Sequence, residues 1–268
     1  MSATSSQAVF PIFPSLHGKV VLITGASSGI GAACARAFAV SGCRLILLAR
    51  RKDRLQTLSA ELTKLGAAQV EQRLVDVRSG KQVVEQLATL PASVRAIDVV
   101  IHSAGLGRGR DKLQDGVPAD WDEMIDTNVK GVLHVTHAVL PQMVQRDSGH
   151  IVHIGSVAGT QPYVGGAVYC ATKAAVRMLN QCLKHDLLGT RIRVSTVDPG
   201  MVETEFSVVR FRGDEERAKA VYAGMTPMSA DDVAEAVLFC VTRPPHVNVS
   251  EVVLLATDQA SATTVHRR

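Results

Sequence analysis

Tyr169 and Lys173 stand four residues apart in the run Tyr169-Cys170-Ala171-Thr172-Lys173, within a stretch that reads as a helix from about 166 to 188. On a helix that spacing puts both side chains on one face, about 5–6 Å apart at Cβ. A free tyrosine ionises near pH ~10 and is a poor acid or base at neutrality. A neighbouring ammonium favours the phenolate. Such a pair can carry a proton to or from a substrate hydroxyl. Ser156, a second hydroxyl, lies thirteen residues upstream. Alone, a Tyr-x-x-x-Lys pattern is a weak signal; its weight comes from what precedes it.

The apolar, β-branched run from Lys19 to Thr24 reads as a buried parallel strand. It leads directly into Gly25-Ala26-Ser27-Ser28-Gly29-Ile30-Gly31, and an apolar helix pattern follows to about Val40. Strand, glycine turn and helix together form a phosphate cradle. The glycines let the backbone approach a pyrophosphate, and the helix start offers free N–H groups and a positive dipole end. The spacing is Gly-x-x-x-Gly-x-Gly, not the commoner Gly-x-Gly-x-x-Gly.

Strands and helices alternate along the rest of the chain. Further strands are expected at Arg44–Ala49, Gln69–Val75, Ala96–His102, Ile151–Ile154, Arg191–Val197 and Glu251–Leu255. Helices are expected over 51–66, 119–144, 166–188 and 230–241. No Pro/Gly-rich linker interrupts them. The pattern predicts an α/β fold: one doubly wound, Rossmann-type parallel sheet with helices on both faces. The domain is placed at 15–258, with tails at 1–14 and 259–268. Ligands in such sheets bind at the carboxyl ends of strands. Thr24, Asp76, Ser103-Ala104-Gly105, Ser156 and Pro199 all fall there. The weakly patterned stretch 203–228 reads equally as a lid or as an ordinary surface helix.

These motifs, in this order, resemble the short-chain dehydrogenase/reductase family over residues 15–258. Thr24–Gly31 matches its cofactor motif, Ser156 its substrate-orienting serine and Asn128 its helix asparagine. Pro199-Gly200 with Thr204 matches the segment that closes over the nicotinamide. The resemblance implies hydride transfer between a nicotinamide and a carbon bearing OH or C=O. Tyr169 would exchange the proton and Lys173 would lower its pKa and hold the ribose. Ser156 would bond the substrate oxygen, and Asn128 would hold a water linked to the lysine. The implied catalytic set is Tyr169, Lys173, Ser156 and Asn128. The implied cofactor set is Gly25, Ser27, Ser28, Gly29, Ile30, Gly31, Arg50, Arg51, Asp76, Val77, Ser103, Ala104, Gly105, Tyr169, Lys173, Pro199, Gly200, Val202 and Thr204. One departure is clear: the family's usual Asn-Asn-Ala-Gly is here His102-Ser103-Ala104-Gly105, which keeps the small residues and loses an amide.

The end of the second strand bears on the choice of cofactor. NAD-specific enzymes place a carboxylate there for the ribose 2′-OH. Here Ala49 is followed by Arg50 and Arg51, and guanidinium groups suit a 2′-phosphate. NADP is therefore the expected cofactor. Within the family, 198–214, 245–249, Trp121–Asn128 and Pro162–Gly166 are most similar to the NADP-dependent 3-hydroxy acid dehydrogenases. That branch acts on serine, allo-threonine and related small acids; such an acid needs a cation near its carboxylate, and Arg210 and Arg212 read equally as that cation or as solvated surface charges. The alternatives are a carbonyl reductase of 3-oxoacyl, steroid or retinoid substrates, and a catalytically silent NADP-binding regulator. A silent relative typically lacks the Tyr or the Lys; both are present here.

Bulk properties exclude other classes. Apolar residues make up 46 % of the 268, enough for a sizeable core. The formal charge of +4 comes without a basic run interleaved with aromatics, so nucleic acid is not an expected partner. Five scattered cysteines form no C-x-x-C, and the His134/His137 and His150/His153 pairs lack further ligands; no metal is expected. No apolar run reaches the ~20 residues of a membrane span. Residues 1–17 lack a cationic start, so a cytoplasmic protein is expected. The apolar last strand leaves a sheet edge to cover, and the family resemblance suggests a homotetramer.

Overall fold

The computed structural model describes residues 14–268. The expected tail 1–14 therefore lies, except for Pro14, outside the described residues. The glycine turn links β1 (Val20–Thr24) to α1 (Gly29–Val40). Then come β2 (Arg44–Ala49), α2 (Lys52–Leu65), β3 (Gln69–Leu74), α3 (Gly80–Ala88), α4 (Ala92–Arg95) and β4 (Val99–His102). The second half runs α5 (Pro118–Ile125), α6 (Gly131–Arg146), β5 (Gly149–Ile154), α7 (Ala167–Asp186) and β6 (Ile192–Pro199). It closes with α8 (Phe206–Arg210), α9 (Glu215–Ala220), α10 (Ala230–Val241) and β7 (Glu251–Leu254).

All seven strands are parallel, in the order β3-β2-β1-β4-β5-β6-β7. The order reverses between β1 and β4, which opens a crevice at their carboxyl ends. Register brings those ends level: Thr24 pairs with His102, and His102 with His153. Strands β1, β2 and β4 are apolar runs because both their faces are buried. One face packs Leu45, Leu47 and Ile101 against Phe38, Leu55 and Val237 of α1, α2 and α10. The other packs Leu22, Ile46 and Val100 against Val83, Val135 and Met143 of α3 and α6.

Three expectations need correction. The single helix read over 119–144 is interrupted by a π turn at Asp126–Lys130. That widened turn carries Asn128 inward, to 2 % exposure; such bulges are frequent at functional sites. The last strand ends at Leu254 rather than Leu255. Finally, 259–268 is no loose tail. Gln259 is buried and its Oε1 accepts from Met201 N at 2.8 Å. Ala262 N donates to Gln161 Oε1 at 2.7 Å, and Arg268 N to Gly224 O at 2.8 Å. Backbone and side-chain amide bonds to distant loops hold this segment, and hydrophobic periodicity carries no trace of them.

Candidate active site

The crevice begins where two backbones touch. A Cβ on Gly25 would lie 2.8 Å from Ala104 N, and the φ of Gly25 is +65°. Glycine is therefore required for β1 and β4 to meet there. The neighbouring Thr24 hydroxyl is buried between them. It accepts from Ser103 N at 3.1 Å and Ala104 N at 3.0 Å, and donates to Ile101 O at 3.4 Å. Behind this joint, His102 stacks on His153 with centroids 5.0 Å apart. His102 Nε2 faces Thr136 Oγ1 at 3.0 Å, and His153 Nδ1 faces Asn180 Oδ1 at 3.1 Å. Burial holds His102 well below the usual histidine range and brings His153 down to about 4. Both rings are thus neutral at physiological pH and can stack without repulsion. His102 and Ser103 stand where the family's usual Asn-Asn would be.

One end of the crevice is a cluster of cations. Arg51 caps the chain entry to α2, and its guanidinium donates to Ser27 Oγ at 3.0 Å and Ser28 Oγ at 2.6 Å. It also pairs with Glu205 at 3.0 Å. Arg54, which the sequence leaves as a solvated helix charge, closes on the other oxygen of Glu205. Burial raises the Glu205 carboxyl, but bonds from Arg54 and Arg51 outweigh it and keep it low. Arg50 turns instead toward Asp76, at 3.9 Å. Burial works against the Asp76 charge, and Arg78 and Arg50 hold its pKa down.

The other end holds the hydroxyls. Ser156 begins a 3-10 turn: its Oγ accepts from Ala158 N at 3.1 Å and donates to Pro199 O at 3.4 Å. It caps this turn and lines the crevice at once. Lys173, on α7, is buried, and its Nζ donates to Ile154 O at 2.8 Å. Burial brings its pKa down to about 8, against the opposing charge of Asp198. Asp198 Oδ1 lies beneath Gly155, where a Cβ would be 1.6 Å away, and accepts from Thr196 Oγ1 at 2.8 Å. Burial lifts this carboxyl to about 6, and Glu251 adds to the rise, while Thr196, Lys173 and Arg177 oppose it. Asn128 sits behind the wall. Its Oδ1 accepts from Leu106 N at 2.9 Å, and its Nδ2 donates to Leu106 O and Thr172 Oγ1.

Tyr169 differs from expectation. Burial raises its pKa, and the influences opposing that rise are Arg210 first and the Ser156 hydroxyl second. The Lys173 ammonium is 5.9 Å from the ring centre and bonded to a carbonyl, whereas the Arg210 guanidinium carbon is 4.8 Å from it.

Together these residues wall a cavity of about 370 Å³. Every residue of the implied cofactor set lines it except Gly31, which packs on the Gly25 carbonyl. Of the implied catalytic set, Tyr169, Lys173 and Ser156 line it and Asn128 does not. The stretch 203–228 forms α8, α9 and part of the cavity wall. Arg210 faces the cavity; Arg212 points away to pair with Asp120. The sequence reading missed Tyr163, Phe206, Tyr222, Gln259 and Ala262 as wall residues. Tyr163 and Tyr222 are two of only three tyrosines in the chain, a signal that was available. Among the described residues no three His, Cys, Asp or Glu side chains gather as a metal site. Nor is any helix among them long and apolar enough to cross a membrane.

The family pattern described as short chain dehydrogenase matches residues 19–215. The chain is 45 % identical over 250 residues to an NADP-dependent 3-hydroxy acid dehydrogenase, YdfG, of Salmonella typhi, covering 92 % of this chain and 99 % of the relative. It is 46 % identical over 242 residues to sulfoacetaldehyde reductase 2 of Chromohalobacter salexigens, covering 90 % and 95 %. Its fold superposes on the closed form of a serine dehydrogenase complexed with NADP+ at a TM-score of 0.88 and 43 % identity, covering 93 % of this chain and all of that one.

The buried Asp198 gives a pH test of this packing. Its folded pKa of about 6 lies above the ordinary 3.8, so between those values the folded chain binds more protons than the unfolded one. Stability then falls as pH rises through that window. Asp198→Asn removes this titration. In urea unfolding from about pH 4 to 6, the wild type should lose on the order of 2 kcal/mol relative to the variant. Parallel pH profiles would contradict a buried, poorly compensated carboxyl.

Proposed function

The chain belongs to the short chain dehydrogenase family and is an oxidoreductase acting on hydroxyl groups, and we propose that it moves a hydride between NADP(H) and small 3-hydroxy acids such as serine or allo-threonine. One observation carries the reading. A single crevice has a guanidinium–hydroxyl cluster at one end and Tyr169, Ser156 and Lys173 at the other.

The residues present fit the cofactor. The Gly25 approach leaves backbone room for a pyrophosphate at the start of α1. Ala49 offers no carboxylate to a ribose, and Arg51 with Ser27 offers donors to a 2′-phosphate. When bound, NADP(H) supplies or accepts the hydride at nicotinamide C4. Pro199, Gly200, Val202 and Thr204 line the crevice and would close over it.

With the cofactor bound to take the hydride, the substrate's O–H proton would pass in oxidation to Tyr169 Oη in its phenolate form. In reduction Tyr169 gives that proton back. Ser156 holds the substrate oxygen, where charge changes most. Lys173 holds the ribose side of the site, and Asn128 props the Leu106 loop and Thr172 of α7. Burial raises the pKa of Tyr169 and so favours the phenol that donates in reduction, while oxidation draws on the phenolate that the Arg210 charge and the Ser156 hydroxyl favour. The Arg210 guanidinium, on the wall above Tyr169, is the cation for the acid's carboxylate. The named relatives support a small anion as substrate: one acts on 3-hydroxy acids, another on sulfoacetaldehyde.

The enzyme is further proposed to be cytoplasmic and to assemble as a homotetramer. Val253 and Leu255 at the β7 edge, with Ile125, Leu133 and Met178 on α5, α6 and α7, are exposed apolar side chains that await cover. Multi-angle light scattering at micromolar concentration should give four times the 28.6 kDa chain mass; a monomer would contradict the proposal.

Kinetics test the activity. Wild type should oxidise serine, allo-threonine and 3-hydroxyisobutyrate with NADP at least tenfold better, in kcat/KM, than steroids or retinoids. Tyr169→Phe keeps the ring and removes the hydroxyl that exchanges the proton, and should lose roughly 10²–10⁴-fold in turnover, with NADPH affinity nearly unchanged. Full turnover in that variant, or a steroid preference in the wild type, would overturn the reading.

A further inference from the structure

Arg210 is the last residue of α8, and the structure gives its charge an unusual seat. The guanidinium carbon lies 4.8 Å from the ring centre of Tyr169 and 4.8 Å from that of Phe206. Nη2 donates to Tyr163 Oη at 3.1 Å. Nε is buried and bonds nothing within the protein. The backbone is held as well, because Gly109 N donates to Arg210 O at 3.0 Å. This is a fixed cation on an aromatic face, with a donor left over.

We propose that Arg210 serves two ends with one charge: it receives the substrate's carboxylate, and from the face of Tyr169 it holds that residue ready to take the substrate's proton. Acid substrates thereby couple their own binding to the state of the base. The first half rests on the reading of the substrate as a small acid; the second does not.

The groups around Tyr169 single out Arg210. Its own helix brings Cys170 and Lys173. The turn after β5 brings Ser156, the following loop Tyr163, and the segment after α9 Tyr222. A second, small cavity that Tyr169 also lines is walled by Arg108, Asp111 and Asp120. Arg108 is paired with Glu123 at 2.7 Å, and Asp120 with Arg212. Lys173 directs its ammonium at the Ile154 carbonyl. Two cations lie over the ring of Tyr169, the Arg210 guanidinium carbon at 4.8 Å and Lys173 Nζ at 5.9 Å; Arg210 is the nearer and pairs with no carboxylate among the described residues. A cation over a phenol stabilises the phenolate over the phenol. It is the foremost influence opposing the rise that burial imposes on Tyr169. A carboxylate bound to Arg210 cancels part of that help, so the tyrosine holds its proton more tightly in the complex. Arg210 is thus a positioning residue for Tyr169 as well as a substrate contact.

The test uses an uncharged alcohol, 2-butanol, beside 3-hydroxybutyrate, with pH profiles of NADP reduction. In Arg210→Met the rising limb of kcat/KM for 2-butanol should move up by about one pH unit. Arg210→Lys, which keeps the charge, should restore most of it. KM for 3-hydroxybutyrate should rise at least tenfold in Arg210→Met. An unmoved limb with 2-butanol in a folded Arg210→Met enzyme overturns the tuning role. If wild type shows no preference for 3-hydroxybutyrate over 2-butanol, the acid-substrate reading fails while the limb shift still tests the tuning. Wild type supplies a check free of mutation. With 3-hydroxybutyrate the kcat limb should lie at higher pH than the kcat/KM limb, and with 2-butanol the two should coincide. Coincidence for both substrates also overturns the proposal.

Discussion

Everything in this site depends on two chain segments whose backbones touch at Gly25 and Ala104. Gly25 presses its backbone on Ala104, and the buried Thr24 hydroxyl bonds two amides and a carbonyl across the same joint. This joint fixes the gap between the β1–α1 turn and the β4 loop. The crevice is a consequence of the parallel order reversing there. A methyl at position 25 would force the two apart. The stacked His102–His153 pair lies directly below, so β4 and β5 are tied at the level where the crevice floor begins.

The chemistry is governed by what burial does to charge. Lys173, Asp198 and Tyr169 are all withdrawn from water, and burial is the largest influence on each. Lysine and aspartate move toward their neutral forms and toward each other, from opposite directions. The tyrosine stays protonated unless a cation acts on it. In a low-dielectric wall a charge matters by where it points. Lys173 points at a carbonyl and Arg210 at the ring.

Much of this was legible in the residues, for physical reasons. The buried strands announce themselves because both faces are covered, which leaves runs such as Val20–Thr24 and Leu45–Leu48 almost wholly apolar. The glycine turn is legible because only glycine tolerates that contact. Tyr169 and Lys173 share a helix face, and periodicity reports that directly. The rest depended on long-range placement. Arg210 and Arg212 are two residues apart, yet one caps the cavity and the other reaches Asp120; composition cannot tell them apart. Segment 259–268 is held by backbone and amide bonds to residues as far away as Gln161, which leave no pattern in the chain. The π turn around Asn128 has no sequence signature beyond a poor helix former in mid-helix. Arg54 looked like surface charge because its partner, Glu205, is about 150 residues away.

The most direct measurement is equilibrium titration of the protein with NADPH and with NADH at one ionic strength, followed by nicotinamide fluorescence. Two charge-assisted bonds from the Arg51 region to a 2′-phosphate are worth about 1.5–3 kcal/mol each, so NADPH should bind at least ~100-fold more tightly. Raising the salt should narrow the gap, because Arg51 is partly exposed. Equal affinities for the two nucleotides, or tighter binding of NADH, would contradict a cradle built for a phosphorylated ribose.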